Sequence, residues 1–158
     1  MNQTDPYWML RPVHTRGDEI CSCSSVTRLI LRECLTPNPI SCASCFCEVE
    51  PYRIGLPAEL VQPIAQWRGL YYSLWTLWLD SGPYEEWATA RLGDPHGAVN
   101  RRGIDLCSEL SRVCLPTLYW WFVPDPDLPR TDCPLCHGSL VEWPTRPVFE
   151  CHACGILT

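Results

Sequence analysis

At 158 residues, with 46% apolar side chains and eight tryptophans, the chain is too hydrophobic for a disordered segment and long enough for one domain with a core plus a small metal-stapled appendage. Its net charge of −6, with no lysine at all, puts it at a disadvantage as a nucleic-acid binder, because such affinity rests on neutralising phosphates. Twelve cysteines raise the alternative of a secreted disulfide scaffold, but the chain exceeds the usual size of that class and lacks a charged N-terminal region followed by an apolar run, so a cytoplasmic protein is expected.

The first twenty residues carry mixed charge and two prolines, which predicts a loop or one short edge strand. Cys21-Ser22-Cys23 follows, and the aliphatic and β-branched run Ser25 to Leu35 predicts a strand ended by Pro37 and Pro39. Cys42-Ala43-Ser44-Cys45 has the spacing of a zinc knuckle and leads into Glu48–Tyr52, read as another strand. Cys21, Cys23, Cys42 and Cys45 make a candidate second metal site. C-x-C is tighter than a usual knuckle, Cys34 or Cys47 is an alternative member, and buried free thiols are the competing reading.

From Pro57 the period changes to helical. Leu60, Ile64, Trp67, Leu70, Tyr71, Leu74, Trp75 and Trp78 recur at steps of three and four, predicting the main core helix to about Asp80, with Pro63 near enough to its start to be tolerated. The apolar part of this stretch, Gly69–Leu79, is about half the roughly 20 residues a membrane span requires. A short helix is predicted over Pro83–Leu92, with Gly93 as its stop. After the turn Asp94-Pro95-His96-Gly97, a third helix runs from Ala98 to Cys114. One of its faces carries Val99, Gly103, Leu106, Cys107, Leu110, Val113 and Cys114. Thr117–Val123 reads as a buried strand, and residues 124–129 as a semi-rigid, proline-rich tether.

The tether leads to the strongest signal in the chain. Cys133-Pro134-Leu135-Cys136 and Cys151-His152-Ala153-Cys154, fourteen residues apart, place four thiolates on two turns facing each other across a short hairpin. Neither pair opens a helix after a strand, as a redox dithiol would. Four sulfurs leave no position open for water, so Zn²⁺ here is expected to be structural. The fold class that follows is α+β: a small helical core with short strands and a C-terminal four-cysteine zinc ribbon. The expected domains are 1–131 (core with cysteine-rich strands) and 132–158 (ribbon), with one zinc or two. Each four-thiolate site around Zn²⁺ adds two negative charges, taking −6 to −8 with one site and −10 with two.

Several landmarks, in order, carry a family resemblance. They are Cys42-x-x-Cys45-Phe46 followed by Pro51-Tyr52-Arg53-Ile54, the Leu74-to-Glu85 helix end, the Asp94-Pro95 then Asn100-x-x-Gly103 turn, Leu106-Cys107, and Pro116-to-Trp121 running into the ribbon. Over roughly residues 40 to 158 the chain resembles a bacterial family of unknown function described as zinc-ribbon-containing, with nucleic-acid binding as a suggested role. Cys21 and Cys23 fall outside its matched motifs. The resemblance implies the ribbon fold and zinc at Cys133, Cys136, Cys151 and Cys154, and adds little on function.

Catalysis has weak support in the sequence. His14, His96, His137 and His152 form no triad that the chain pattern brings together. Glu85-Glu86 reads as a solvated helix end, a Cys107/His96 pair would need a thiolate on an apolar face, and no glycine-rich phosphate loop is present. A non-enzymatic role is expected. The leading reading is an acidic protein-interaction module, specifically an immunity or antitoxin protein covering a basic, nuclease-type toxin. The alternative is a nucleic-acid-binding accessory factor using Arg101, Arg102 and nearby aromatic rings.

Overall fold

The short strands all join one sheet in the computed structural model, which describes residues 5–11, 13, 15–33, 36–125, 130–143 and 146–158. They are β1 (Leu29–Leu31), β2 (Ile40–Cys42), β3 (Thr117–Trp120), β4 (Val141–Glu142), β5 (Phe149–Cys151) and β6 (Ile156–Leu157), in the spatial order β2-β1-β3-β6-β5-β4. The central strands β1, β3 and β6 run parallel, and the outer pairs are antiparallel. Strands buried on both faces read as near-continuous apolar runs, as Leu29-Ile30-Leu31 does, while in β3 the buried hydroxyls of Thr117 and Tyr119 are satisfied by the Leu115 carbonyl and Asn100 Oδ1. With α1 (Ala58–Asp80), α2 (Glu85–Gly93) and α3 (Ala98–Val113), the class is α+β.

Alternation along the strands divides the core into two layers. Leu29, Leu31, Tyr119, Trp121 and Ile156 face the helices, where Ile64, Trp67 and Leu74 of α1 and Leu106 and Leu110 of α3 meet them. Ile30, Leu118 and Leu157 face the other way, under Ala43, Val148 and the partly buried rings of Phe46, Trp120 and Trp143. Pro63 lies inside α1, and the carbonyl it leaves without a helical donor belongs to exposed Glu59, where water can serve it. Leu70 and Val113, placed on core faces by spacing, are 49% and 40% exposed. Leu70 lies one position before the buried Tyr71, and Val113 is the last residue of α3.

Helices and sheet lock at one buried junction. Trp67 Nε1 donates to the Val99 carbonyl at 3.0 Å, and the Tyr119 hydroxyl donates to Asn100 Oδ1 at 2.8 Å. Asn100 Nδ2 reaches the carbonyls of Leu92 and Asp94, both at 2.8 Å, so this fully buried amide is satisfied on both sides. Both Asn100 and Gly103 lie within α3.

One predicted strand is lost. The predicted strand Glu48–Tyr52 is limited to single bridges from Glu48 to Ile20 and Ser41, because Pro51, with no N–H to give a ladder, opens a 3₁₀ turn over Pro51–Ile54. The strand beside β1 is instead Ile40–Cys42, the approach to the first knuckle. The N-terminal segment is the loop alternative of the two expected, with 3₁₀ turns at Trp8–Leu10 and Gly17–Glu19 and a single bridge at Ile20 among its described residues. Residues 34 and 35 of the first predicted strand, and 126–129 of the expected tether, lie outside the described residues. The sheet crosses the boundary expected at residue 132, since β6 pairs with β3 through Tyr119↔Ile156 and Trp120↔Leu157.

Candidate metal centres

Three turns in the molecule are built alike. In Cys42–Phe46, Cys133–His137 and Cys151–Gly155, the residue after the second cysteine adopts a positive φ: 66° at Phe46, 56° at His137 and 65° at Gly155. Its N–H returns to the carbonyl of the first cysteine at 2.8, 3.0 and 2.8 Å respectively. That left-handed residue turns the following amides back toward sulfur, as a knuckle requires. Only Gly155 adopts it without a steric cost; Phe46 and His137 carry a strained backbone at the two other turns.

Two sets of four sulfurs result: Cys21, Cys23, Cys42 and Cys45, and Cys133, Cys136, Cys151 and Cys154, each with all its Sγ atoms within 4.8 Å of one another. All eleven described cysteines are free thiols. Cys136 Sγ lies 3.6 Å from Cys151 Sγ, far beyond a disulfide bond of ~2.05 Å and close to the ~3.8 Å edge of a tetrahedron with metal–sulfur bonds of about 2.3 Å. Each set can therefore hold a metal ion.

The C-x-C half of the first set lacks a knuckle of its own and is positioned from a distance. Cys21 N–H donates to the Glu48 carbonyl at 2.7 Å, and Glu48 N–H to the Glu19 carbonyl at 2.8 Å, which pins the segment against the Cys42–Cys45 turn. The Arg53 guanidinium then clamps the backbone carbonyls of both Cys21 and Cys23. Sequence reasoning missed Arg53 as a supporting residue, although it sits in the Pro51–Ile54 segment. Cys47 stays outside the set, its sulfur turned to the Cys45 carbonyl, and Cys34 lies outside the described residues.

Electrostatics within each set are uneven. Burial pushes Cys21 up, and hydrogen bonds with the Cys45 and Cys21 sulfurs hold Cys23 at about 12. Cys42 is also penalised by burial, yet it falls to about 7 because the N–H groups of Cys45 and Ser44 point at its sulfur. In the second set the Gly138 N–H leads the groups that bring Cys136 down to about 7, while burial raises Cys133 and Cys154. Cys42 and Cys136 are thus the thiols whose ionisation the turn amides favour. Like charges this close repel, so the remaining protons leave only when a dication takes their place.

The other candidate residues of the sequence form no further cluster of metal-ligating groups among the described residues. Burial pushes the Cys107 thiol up, which disfavours its thiolate. Glu85 caps the Gly82 N–H at 2.9 Å, and exposed His152 stands 3.8 Å from Glu150. His14 lies outside the described residues. No described helix is long and apolar enough to cross a membrane.

A family model described as a domain of unknown function (DUF2310) matches residues 21–122. The chain belongs to this family. The DUF2310 match begins at Cys21 and ends at Phe122, which differs from the span expected from resemblance. It takes in Cys21, Cys23 and the whole first cluster, the three helices and β1 to β3, and it stops before the second cluster. No curated protein and no solved structure matches the chain.

Proposed function

We propose that this DUF2310 protein is a non-enzymatic, zinc-stapled scaffold that presents an acidic aromatic surface to a basic protein partner. Zinc is favoured over other metals by the two all-sulfur sets, which leave no open coordination position for a catalytic water. Purified protein is expected to carry two zinc ions per chain by elemental analysis. One zinc would assign metal to a single cluster, and none, with cysteines cross-linked in protein prepared without chelator, would overturn the reading.

The observation that carries the partner class is the corner where α1 meets α2. Leu79, Tyr84 and Trp87 are 54%, 60% and 47% exposed there, among the carboxylates of Asp80, Glu85 and Glu86. Exposed aromatic anchors beside carboxylates suit a cationic surface, the charge speeding encounter and the rings prolonging the complex, and Arg91, 5.4 Å over the Trp87 ring, shows that ring already holding a cation. The specific form of this reading is an immunity or antitoxin protein. Its test is rescue of cells from the partner's toxicity on co-expression, with Trp87→Ala weakening the complex at least tenfold.

A second reading, nucleic-acid binding, draws on the sheet face opposite the helices. Arg146 lies 4.3 Å over the Phe46 ring, Arg32 5.8 Å over Trp120 and Arg28 5.9 Å over Trp143. On this face three cations and three rings interleave, whereas Arg102 is turned to Glu109 at 3.3 Å. The arginines of the face are largely committed, however. Arg28 pairs with buried Glu150 at 2.6 Å, and Arg32 donates to the Phe46 carbonyl at 2.6 Å. Mixed-sequence oligonucleotides are therefore expected to bind weakly at physiological salt. Submicromolar, salt-sensitive binding that Arg146→Ala weakens and Arg101→Ala does not would reverse the order of the two readings.

A further inference from the structure

The parallel strands β1, β3 and β6 all finish at the same edge of the sheet, and the crevice beyond such ends is where open sheets tend to bind ligands. Just past β1 stands Glu33. Its side chain is 8% exposed, and its Oε1 accepts no hydrogen bond from the described residues. This carboxylate opens into a cavity of about 160 Å³ whose other walls are Tyr71, Trp75, Trp78, Trp120, Phe122 and Val123. A cleft of about 340 Å³ adjoins it, sharing Trp78, Trp120 and Val123 and reaching Arg130 and Thr158.

We propose that this aromatic cavity is a binding site for a methylated or quaternary ammonium group, with the rings enclosing the cation and Glu33 supplying the opposing charge. Indole faces attract cations, and a buried carboxylate with an unused acceptor favours the same sign. An anion would meet Glu33 and the electron-rich ring faces together. A primary ammonium would bring three N–H donors to a cavity whose described lining carries one charged side chain, the Glu33 carboxylate, whereas a methylated nitrogen presents apolar surface to the rings. At roughly 30 Å³ per water-sized group the cavity takes about five heavy atoms, the size of a tetramethylammonium head group. The remainder of a ligand would lie in the adjoining cleft.

The charged groups facing Glu33 allow this assignment. Arg68 of α1 approaches Oε1 only to 3.7 Å and stacks on Tyr72 at 4.4 Å. Arg32 is held by Ser41 Oγ at 3.1 Å and by the Phe46 carbonyl. On the opposite side, Asp18, Glu19 and Glu48 share a cleft with Glu33 and Arg32 and add negative charge. Burial outweighs the two arginines and raises the Glu33 carboxyl to about 7. Tyr71, raised by its own burial, stays neutral over the working range.

The test titrates the wild-type protein, followed by tryptophan fluorescence and NMR, with choline and with 3,3-dimethyl-1-butanol, its neutral isostere. Choline is expected to bind saturably and at least tenfold more tightly than the alcohol, with affinity rising from pH 6 to pH 8 as Glu33 ionises. Glu33→Gln should remove most of that preference while leaving the circular dichroism spectrum intact. Equal affinity for the two probes, or no saturable binding of choline, overturns the proposal, and that comparison needs only the wild-type chain.

Discussion

Replacing Cys151 with serine is expected to cost the protein one metal ion, the order of the β5–β6 hairpin, and several kcal/mol of stability. Residues 132–158 cannot bury enough surface to fold unaided, so metal binding at the second cluster is folding free energy for that segment. Cys151 lies at 3% exposure, with its sulfur 3.6 Å from that of Cys136, so serine removes a buried ligand and leaves three thiols that no longer close the cage. The loss should spread beyond the ribbon. β6 hydrogen-bonds to β3 through the Tyr119 and Trp121 N–H groups, at 2.8 Å to the Gly155 carbonyl and 2.7 Å to the Leu157 carbonyl, and unfolding the ribbon opens that side of β3 to water. The helices, packed on the other side of β3 and β1, should persist. The expected signature is half the wild-type metal content, lost amide dispersion for residues 133–158 and a lower Tm, with helical circular dichroism largely kept. Unchanged metal content and unchanged ribbon shifts would show that Cys151 is not a ligand.

The helices and the second cluster were legible in the sequence for local reasons. A 3.6-residue period over Leu60–Trp78, and proline or glycine punctuation near Pro83, Gly93, Gly97 and Pro116, placed α1 to α3 within a residue or two of where they stand. Knuckle spacing fixed Cys133, Cys136, Cys151 and Cys154 in the same way. Long-range pairing left no local trace. The Ile20–Glu48 bridge that completes the first cluster joins segments 28 residues apart, and the β3–β6 pairing that merges ribbon with core is a parallel register between short apolar runs. Glu33 was hidden for a related reason: a charged residue after an apolar strand reads as the solvent-exposed end of that strand. Here α1 and the segment after β3 close rings over it.

Gly103→Ala tests the junction of helices and sheet without touching either metal cluster. On helix propensity alone the change should help, because alanine is favoured over glycine inside a helix by roughly 1 kcal/mol. Packing at this position reverses the sign. A Cβ on Gly103 would lie 2.2 Å from Tyr119 Cε2 and 2.8 Å from Trp67 Nε1, inside any tolerable contact. Neither ring can yield cheaply. Tyr119 is tied by its hydroxyl to Asn100 and Trp67 by its indole to the Val99 carbonyl, both 2% exposed or less, so moving either one breaks a buried hydrogen bond. A net destabilisation of about 2–4 kcal/mol is expected, read as a lower urea midpoint at unchanged slope. Gly69→Ala supplies the matched control, since that glycine lies on the exposed face of α1 and a Cβ there meets nothing within 4 Å. It should stabilise by about 0.5–1 kcal/mol. If both alanines stabilise alike, α3 does not approach β3 as closely as Tyr119 and Gly103 require, and the packing of the helical layer on the sheet would have to be redrawn.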